Sequence, residues 1–263
     1  MEIVKVGLVN SMGKTEGCEN APNDILNALR DIRSNEAGKL INVGELRVDE
    51  IHVDLKDIEE AEHLIFENSK EIFEKNFKAF FIGGDHSISY PIVRAFEKVV
   101  ENPLLIVFDA HADCCEVGKE PTHEEWLRGV IEKGFDSSKV ILISARNLCE
   151  EEIEYLKSRQ VSLIKMDILQ EDISGVCDLV MERARASGGF FVSVDIDCVD
   201  PAFAPGTGYL EPGGLSSRDL IYFIKRLRLL KNFRGADIVE INPSKDVNGM
   251  TVKLGAKLLS EML

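Results

Sequence analysis

The chain has 263 residues, of which 44% are hydrophobic and 29% are charged, and it carries a formal net charge of −15 at pH 7. This length can bury one large core, and the hydrophobic content is that of a globular protein rather than a disordered one. The negative charge repels nucleic acids and anionic membrane surfaces and mildly favours cationic ligands, so we expect neither nucleic-acid nor membrane partners.

The N-terminus reads MEIVKVGLVN, which lacks the basic-then-apolar pattern of a secretory signal and is typical of a first strand. No apolar stretch approaches the ~20 residues that a membrane helix needs. The six cysteines show no C-x-x-C pair and no framework spacing. We therefore expect reduced thiols and a cytoplasmic location.

Strand-like and helix-like segments alternate along the chain. Apolar or alternating segments predict strands over 3–9, 51–55, 79–82, 104–109, 140–144, 161–165, 190–195 and 236–241. Helical periodicity predicts helices over 17–31, 58–73, 89–99, 124–133, 150–158, 176–186, 216–229 and 250–262. Such alternation predicts an α/β fold whose parallel sheet is covered on both faces. Without a linker-like stretch or a repeat, residues 1–263 are expected to form one domain.

The segment LLIVFDAHAD, at 104–113, places three metal-ligating residues directly after an apolar run typical of a buried strand. Asp109, His111 and Asp113 stand at alternate positions, and alternate side chains share a face in extended backbone. They are therefore expected on one side of the carboxyl end of the strand, where open α/β sheets bind ligands. A polar turn with a helix-capping Asp is the simpler alternative for one aspartate, but it does not account for three ligands.

Two other predicted strands end in residues of the same kind. In GGDHS, two glycines allow a sharp turn that brings His86 to the sheet edge, although His86 alone could be a capping or packed histidine. In VDIDCVDP, Asp195 and Asp197 follow a buried strand at alternate positions. A fourth strand ends in DIVEINP, where Glu240 has no lysine or arginine beside it in sequence. A buried, unpaired carboxylate is costly, so Glu240 needs a cation such as a cationic substrate.

Together these motifs gather four aspartates and two histidines at one edge of the sheet. Four clustered carboxylates repel one another strongly unless cations neutralise them, and two divalent ions carry the matching charge. Oxygen ligands with some imidazole suit Mn²⁺ better than a cysteine-based zinc site would. Two metals about 3.5–4 Å apart can share a hydroxide that acts as a nucleophile at neutral pH.

The blocks GGDHS, DAHAD, SVDIDCVDPAFAPGTGYLEPGGL and DIVEINP resemble, in order and in separation, the signature blocks of the ureohydrolases, the family of agmatinase and arginase. The resemblance covers most of the chain from Phe80 onward, and ENAPNDIL near the N-terminus resembles the family weakly. It implies a three-layer α/β/α arginase-like fold with an eight-stranded parallel sheet. It also implies two Mn²⁺ ions per subunit and a homo-oligomer, either a trimer or a hexamer.

Carried over residue by residue, the resemblance implies which side chains hold the metals. One ion would be held by His86, Asp109, Asp113 and Asp195. The other would be held by Asp109, His111, Asp195 and Asp197, so that Asp109 and Asp195 bridge the pair.

The resemblance also implies three catalytic roles. Asp113 would orient the hydroxide, Glu240 would bind the guanidinium by a charge-assisted pair, and His123 would relay a proton to the leaving amine. The family often has His-Gly at the position of the proton-relaying histidine, whereas this chain has His123-Glu124. An ordinary exposed histidine before a helix is therefore the alternative for His123. The products would be urea and an amine.

The expected substrate is agmatine, hydrolysed to putrescine, which would place the protein in polyamine biosynthesis. PAFAPGTG and EPGGL resemble agmatinases more than arginases, and Cys114-Cys115 stand where arginases tend to carry Ile-Asn, whose Asn helps to hold the α-carboxylate. Glutamates after the DAHAD block, Glu116 and Glu120 among them, would repel a carboxylate. Against agmatinase, Tyr209 begins a Tyr-Leu pair where that family usually has Thr-Pro. Arginase, guanidinobutyrase or formimidoylglutamase activity at the same metal site, and a catalytically silent binding subunit, are the alternatives.

Overall fold

The computed structural model describes residues 1–10 and 13–263. Its strands are β1 Glu2–Val6, β2 Val48–Glu50, β3 Ala79–Gly83, β4 Pro103–Phe108, β5 Val140–Ala145, β6 Ser162–Lys165, β7 Gly189–Asp195 and β8 Phe233–Val239. They form one eight-stranded sheet in the order β2-β1-β3-β8-β7-β4-β5-β6. Every pairing is parallel, which confirms the predicted α/β sheet.

Helices cover this sheet on both faces. They are α1 Ala21–Leu29, α2 Ile58–Lys75, α3 Ser89–Val99, α4 Trp126–Glu132, α5 Glu150–Ser158, α6 Met166–Glu171, α7 Ile173–Ala186, α8 Ser217–Arg228 and α9 Met250–Met262. The short helix α6 was not predicted, because six residues are fewer than two helical turns and carry too little periodicity to be recognised. None of the helices in residues 1–10 and 13–263 is long and apolar enough to cross a membrane.

The central strands bury apolar side chains on both faces, which explains their continuous apolar runs. Phe80 of β3 and Phe190 of β7 pack on one face, with helices α1, α7, α8 and α9. Their neighbours Phe81 and Phe191 point to the opposite face and pack with Phe73 of α2, as the period of two in a strand requires. Two apolar layers therefore hold the sheet between helices, as a three-layer α/β/α arrangement requires.

The predicted strand at 51–55 is wrong in position. The strand there, β2, covers Val48–Glu50, lies at the edge of the sheet and exposes all three side chains. Backbone hydrogen bonds to β1 hold this strand in the sheet. Because its side chains are all exposed, they show no apolar alternation from which a strand could be predicted. The apolar residue that suggested a strand, Ile51, is buried just after β2 ends and donates its N–H to the carbonyl of Lys5 at 3.0 Å.

Four adjacent central strands, in the order β3-β8-β7-β4, end side by side. Val194 of β7 pairs with Phe108 of β4 on one side and with Ile238 of β8 on the other. Because the strands are parallel, the residues that follow all four meet at the same carboxyl edge. The four predicted motifs are thereby brought to one place.

Candidate metal centre

His86 is placed by a sharp turn after β3. A Cβ on Gly84 would lie 1.9 Å from the carbonyl oxygen of Leu8, so only glycine permits this close approach to the N-terminal segment. The next residue, Asp85, accepts hydrogen bonds from the backbone N–H and the hydroxyl of Ser87. These bonds open a single 3-10 turn, His86–Ile88, and His86 is buried within it.

The residues after β4 meet by a route other than the one predicted from extended backbone. The strand ends at Phe108, and Asp113 has a left-handed φ of 49°. Asp109 turns the chain instead, because its Oδ1 accepts the N–H of His111 at 2.7 Å. Asp197 holds the same turn by accepting the N–H of Ala110 at 3.1 Å. Alternation along a strand is therefore the wrong explanation, although all three predicted side chains do reach the site.

The first of two ligand groups surrounds the Nδ1 atom of His86. This nitrogen lies 3.2 Å from Asp109 Oδ2, 3.0 Å from Asp113 Oδ2 and 3.2 Å from Asp195 Oδ2. The four side chains are buried, and each offers a ligand atom within 4.8 Å of the others. One imidazole nitrogen and three carboxylate oxygens converge in this group.

The second ligand group joins Asp109, His111 and Asp197. His111 Nδ1 lies 3.0 Å from Asp197 Oδ2 and 3.6 Å from Asp109 Oδ1. Asp109 thus presents Oδ2 to the first group and Oδ1 to the second, as a bridging carboxylate would. Asp195 joins only the first group, and its Oδ1 accepts the backbone N–H of Asp197 at 2.8 Å. Its bridging role stays a prediction.

The electrostatics of these groups fit divalent cations. Burial and the nearby Asp109 carboxylate raise the pKa of Asp113 to about 8. Burial and the carboxylates of Asp197 and Asp109 raise the pKa of Asp195 well above its usual value. Among the described residues, the buried atoms His86 Nδ1 and Asp109 Oδ2 have no hydrogen-bond partner. Crowded carboxylates and unpartnered buried ligand atoms are what bound cations would relieve.

A buried chain of hydrogen bonds behind His86 fixes its orientation. Ser193 donates its hydroxyl proton to Asp237 at 2.7 Å, so its oxygen is free to accept from His86 Nε2 at 2.9 Å. Ser89 donates to the other oxygen of Asp237, also at 2.7 Å. This arrangement places the imidazole proton on Nε2 and leaves the Nδ1 lone pair facing the carboxylates. Sequence reasoning missed this support, since Ser193 and Asp237 lie inside apolar strands without a ligand motif.

Trp126 at the start of α4 is a second support that sequence reasoning missed. Its indole Nε1–H donates to Asp113 Oδ2 at 2.8 Å, and its ring lies 4.5 Å from the ring of His86. A lone tryptophan is ordinarily a core residue, and the sequence offers no signal that it contacts two ligands.

Glu240 lies directly after β8, is 2% exposed and has a left-handed φ of 63°. Its Oε1 accepts the N–H of His86 at 2.8 Å, and its Oε2 is buried without a hydrogen-bond partner in the described part of the chain. Burial, followed by the carboxylates of Asp195 and Asp85, raises the pKa of Glu240 well above its usual value. The side chain is suited to a cation that enters from outside the protein.

A cavity opens above the two ligand groups. Its lining is His111, Asp113, Cys115, His123, Glu124, Asn147, Cys149, Glu152, Asp195, Asp197, Tyr209 and Glu240. The described residues of this lining include no lysine or arginine. Of the glutamates expected at the rim, Glu116 and Glu120 do not line the cavity, and Glu120 pairs with Lys119 at 2.9 Å instead. Glu124 does line it, as does Glu152, which sequence reasoning did not single out.

His123 is only 7% exposed and lines this cavity, so the alternative of an ordinary exposed histidine is wrong. Its Nε2 lies 3.1 Å from the hydroxyl of Tyr209. Burial lowers the pKa of His123 below its usual value. A neutral imidazole beside the ligand groups can take up or release a proton.

Comparisons with known proteins agree with this geometry. The family described as the arginase family matches residues 2–263. Arginase 1, mitochondrial, of Arabidopsis thaliana is 35% identical over 85% of this chain, which spans 65% of that enzyme's length. Agmatinase of Bacillus subtilis is 32% identical over 76% of this chain and 68% of its own. A crystal structure of formimidoylglutamase from B. subtilis superposes with a TM-score of 0.92 at 26% identity, over 99% of this chain and 85% of that one.

The relatives differ in their named substrates, and they share the family and the fold. The family match extends over nearly the whole chain, and it includes every residue of the two ligand groups, Glu240 and His123. The chain belongs to the arginase family.

Proposed function

We propose that this protein hydrolyses a guanidino compound to urea and an amine at a centre of two Mn²⁺ ions, and that agmatine is the compound hydrolysed to putrescine. The observation that carries this proposal is the pair of ligand groups that share Asp109 at the floor of a cavity. A buried carboxylate without a cation, Glu240, stands beside them. Membership of the arginase family supports the same reaction.

The six predicted ligands fit the metals as a set of oxygens with two imidazoles, which Mn²⁺ accepts. When bound, the two cations would supply Lewis acidity and make a nucleophile available from water at neutral pH. Glu240 would bind the guanidinium of the substrate by a charge-assisted pair and hold its carbon over the ligand groups. Asp113 would orient the nucleophile, and His123 would give a proton to the amine as it leaves.

The cavity lining supports an amine substrate without an α-carboxylate. Arginine carries a carboxylate that must find donors, because leaving it desolvated and unpaired costs several kcal/mol. The lining contains two further acids, Glu124 and Glu152, and its described residues include no lysine or arginine. Glu152 is already engaged, since it accepts the N–H groups of Cys114 and Cys149. Glu124 accepts the hydroxyl of Tyr209 through Oε1, so its Oε2 is the carboxylate oxygen left for a free ammonium group.

Arginine is the second candidate because of one observation in this chain. The ammonium of Lys14 lies 4.3 Å from the ring centre of Tyr209, a residue of the cavity lining. A lysine at this position could pair with an α-carboxylate that enters the cavity. Several of the curated relatives are named arginase, which favours the same alternative.

Urea release from a substrate panel, measured with the metal content of the same protein, tests the proposal. We expect kcat/KM for agmatine to exceed that for arginine at least about tenfold, a difference of about 1.4 kcal/mol. Equal or better values for arginine or 4-guanidinobutyrate would overturn agmatine and leave the ureohydrolase reaction. Release of formamide from formimidoylglutamate would overturn the ureohydrolase reaction as well, because the substrate would then be a formimidoyl compound.

A variant separates the two candidates further. If Lys14 serves an α-carboxylate, Lys14→Met should lower kcat/KM for arginine while leaving agmatine unchanged. If agmatine is the substrate, removing this positive charge should leave agmatine hydrolysis equal or better. Lys245 is a matched control, because its ammonium contacts the backbone carbonyl of Lys14 and does not line the cavity.

The organisation of the protein is part of the proposal. We infer one domain over 1–263, a homo-oligomer of three or six subunits and a cytoplasmic location. Family resemblance supports the oligomer, and the free state of all six cysteines supports the location. Light scattering after gel filtration would test the oligomer, since a monomeric mass would contradict it.

A further inference from the structure

We propose that Tyr209 is a positioning residue, which fixes the proton of His123 on Nε2 and thereby leaves Nδ1 as the nitrogen that exchanges a proton with the reacting groups. The catalytic half of this inference rests on the proposed function. The structural half concerns only how three side chains of this protein are hydrogen-bonded.

The hydroxyl of Tyr209 contacts two partners at once. It donates to Glu124 Oε1 at 2.9 Å, and it lies 3.1 Å from His123 Nε2. A charged carboxylate only accepts hydrogen bonds, so the single hydroxyl proton of Tyr209 is committed to Glu124. The phenol oxygen then accepts from His123, which requires that the neutral imidazole carry its proton on Nε2.

The other nitrogen of the ring remains available. His123 Nδ1 is buried, and it has no hydrogen-bond partner among residues 1–10 and 13–263. Because His123 lines the cavity with Asp113 and Glu240, a substrate held by Glu240 would come close to this ring. In the Nε2–H form, Nδ1 has a lone pair with which to accept a proton, and it can release that proton to a leaving amine.

Packing holds the ring of Tyr209 in place, so the hydroxyl cannot easily turn away. The ring centre lies 5.5 Å from that of His111 and 5.7 Å from that of His123. A ring packed against two neighbouring rings is suited to a fixed hydrogen-bond geometry, and misplacement of a catalytic group by about 1 Å can cost about a hundredfold in rate.

The matched pair of variants is Tyr209→Phe and Tyr222→Phe. Both lose one hydroxyl and keep the ring. Tyr222 lies on α8, and the one hydrogen-bond partner of its hydroxyl among the described residues is Ser174, at 3.4 Å. Glu124→Ala is the third variant, because it frees the hydroxyl proton of Tyr209 to donate to His123 Nε2. That change should move the imidazole proton to Nδ1.

The first readout is the ¹⁵N NMR spectrum of the metal-free protein with labelled histidines, recorded where His123 is neutral. The chain has five histidines, and loss of one signal set in His123→Gln assigns the resonances of interest. We expect the Nε2–H form in wild type and in Tyr222→Phe, a mixture of forms in Tyr209→Phe, and the Nδ1–H form in Glu124→Ala. The Nδ1–H form in wild type, or an unchanged spectrum in Tyr209→Phe, would overturn the inference.

The second readout is steady-state kinetics of the manganese-loaded protein. Tyr209→Phe should lower kcat at least about tenfold with KM changed less than about twofold, because the lost interaction orients a proton-transfer group and does not hold substrate. Unchanged kcat, or an equal loss in Tyr222→Phe, would contradict the positioning role. If wild type releases no urea from any guanidino compound, the proposed function fails, while the NMR spectra still decide the role of Tyr209.

Discussion

The indole Nε1–H of Trp126 donates a hydrogen bond of 2.8 Å to Oδ2 of Asp113, the same oxygen that lies 3.0 Å from Nδ1 of His86. The indole therefore orients a carboxylate of the first ligand group. We expect Trp126→Phe to weaken metal binding in this group about 10- to 100-fold, as loss of a partner behind a ligand typically does. Titration calorimetry with Mn²⁺ measures this change. Unchanged affinity would show that packing alone holds Asp113.

Asp109 and Asp197 differ in the number of ligand groups they join. Asp109 belongs to both groups and Asp197 to one, so Asp109→Ala should lose both ions, whereas Asp197→Ala should weaken mainly one. Metal content after gel filtration measures the difference. Asp195→Ala tests the predicted second bridge, because it should lose both ions if Asp195 bridges and behave like Asp197→Ala if it does not.

Glu240 should recognise the substrate rather than a metal, because it lies outside both ligand groups. Glu240→Gln keeps the shape of the side chain and removes its charge. We expect metal content to stay intact while kcat/KM falls about 10- to 100-fold, since a charge-assisted hydrogen bond is worth ~1.5–3 kcal/mol. Loss of metal in this variant, with activity restored by excess Mn²⁺, would assign Glu240 to the metals instead.

Glu62 on α2 should make stability depend on pH. Burial and the nearby carboxylate of Glu120 raise its pKa from 4.5 to about 7. Between these two values the folded state holds a proton that the unfolded state has released, so this group loses stability as pH rises through that window. Glu62→Gln should therefore raise the free energy of unfolding, relative to wild type, on the order of 1 kcal/mol more at about pH 8 than at about pH 4.

Urea denaturation of metal-free wild type and Glu62→Gln at both pH values measures this difference. Comparing the two proteins removes the titration of the ligand groups, which they share. Glu67→Gln on the same helix is a control, since its side chain is exposed. An equal change in both variants would mean that the general charge of α2 is responsible.

The sequence predicted the parts of the site that are local. Asp195 is the last residue of an apolar strand, His86 and Glu240 follow their strands within three residues, and parallel strands place their ends together. The contact between His123 and Tyr209 could not be predicted from the sequence. The two residues are 86 positions apart, and the conformations of two loops bring them together. The turn at Asp113 was also missed, because the residue types around it do not indicate a positive φ.

The position of β8 between β3 and β7 has a consequence for how the protein is made. His86 follows β3, whereas its carboxylate partners follow β4 and β7, and the strand that separates them, Phe233–Val239, is translated last. During synthesis β4 and β7 can pair before β8 exists, but His86 stays apart from its carboxylate partners until β8 takes its place between β3 and β7. The first ligand group is therefore completed after the second, and a cation held by the first group would be bound late in biosynthesis.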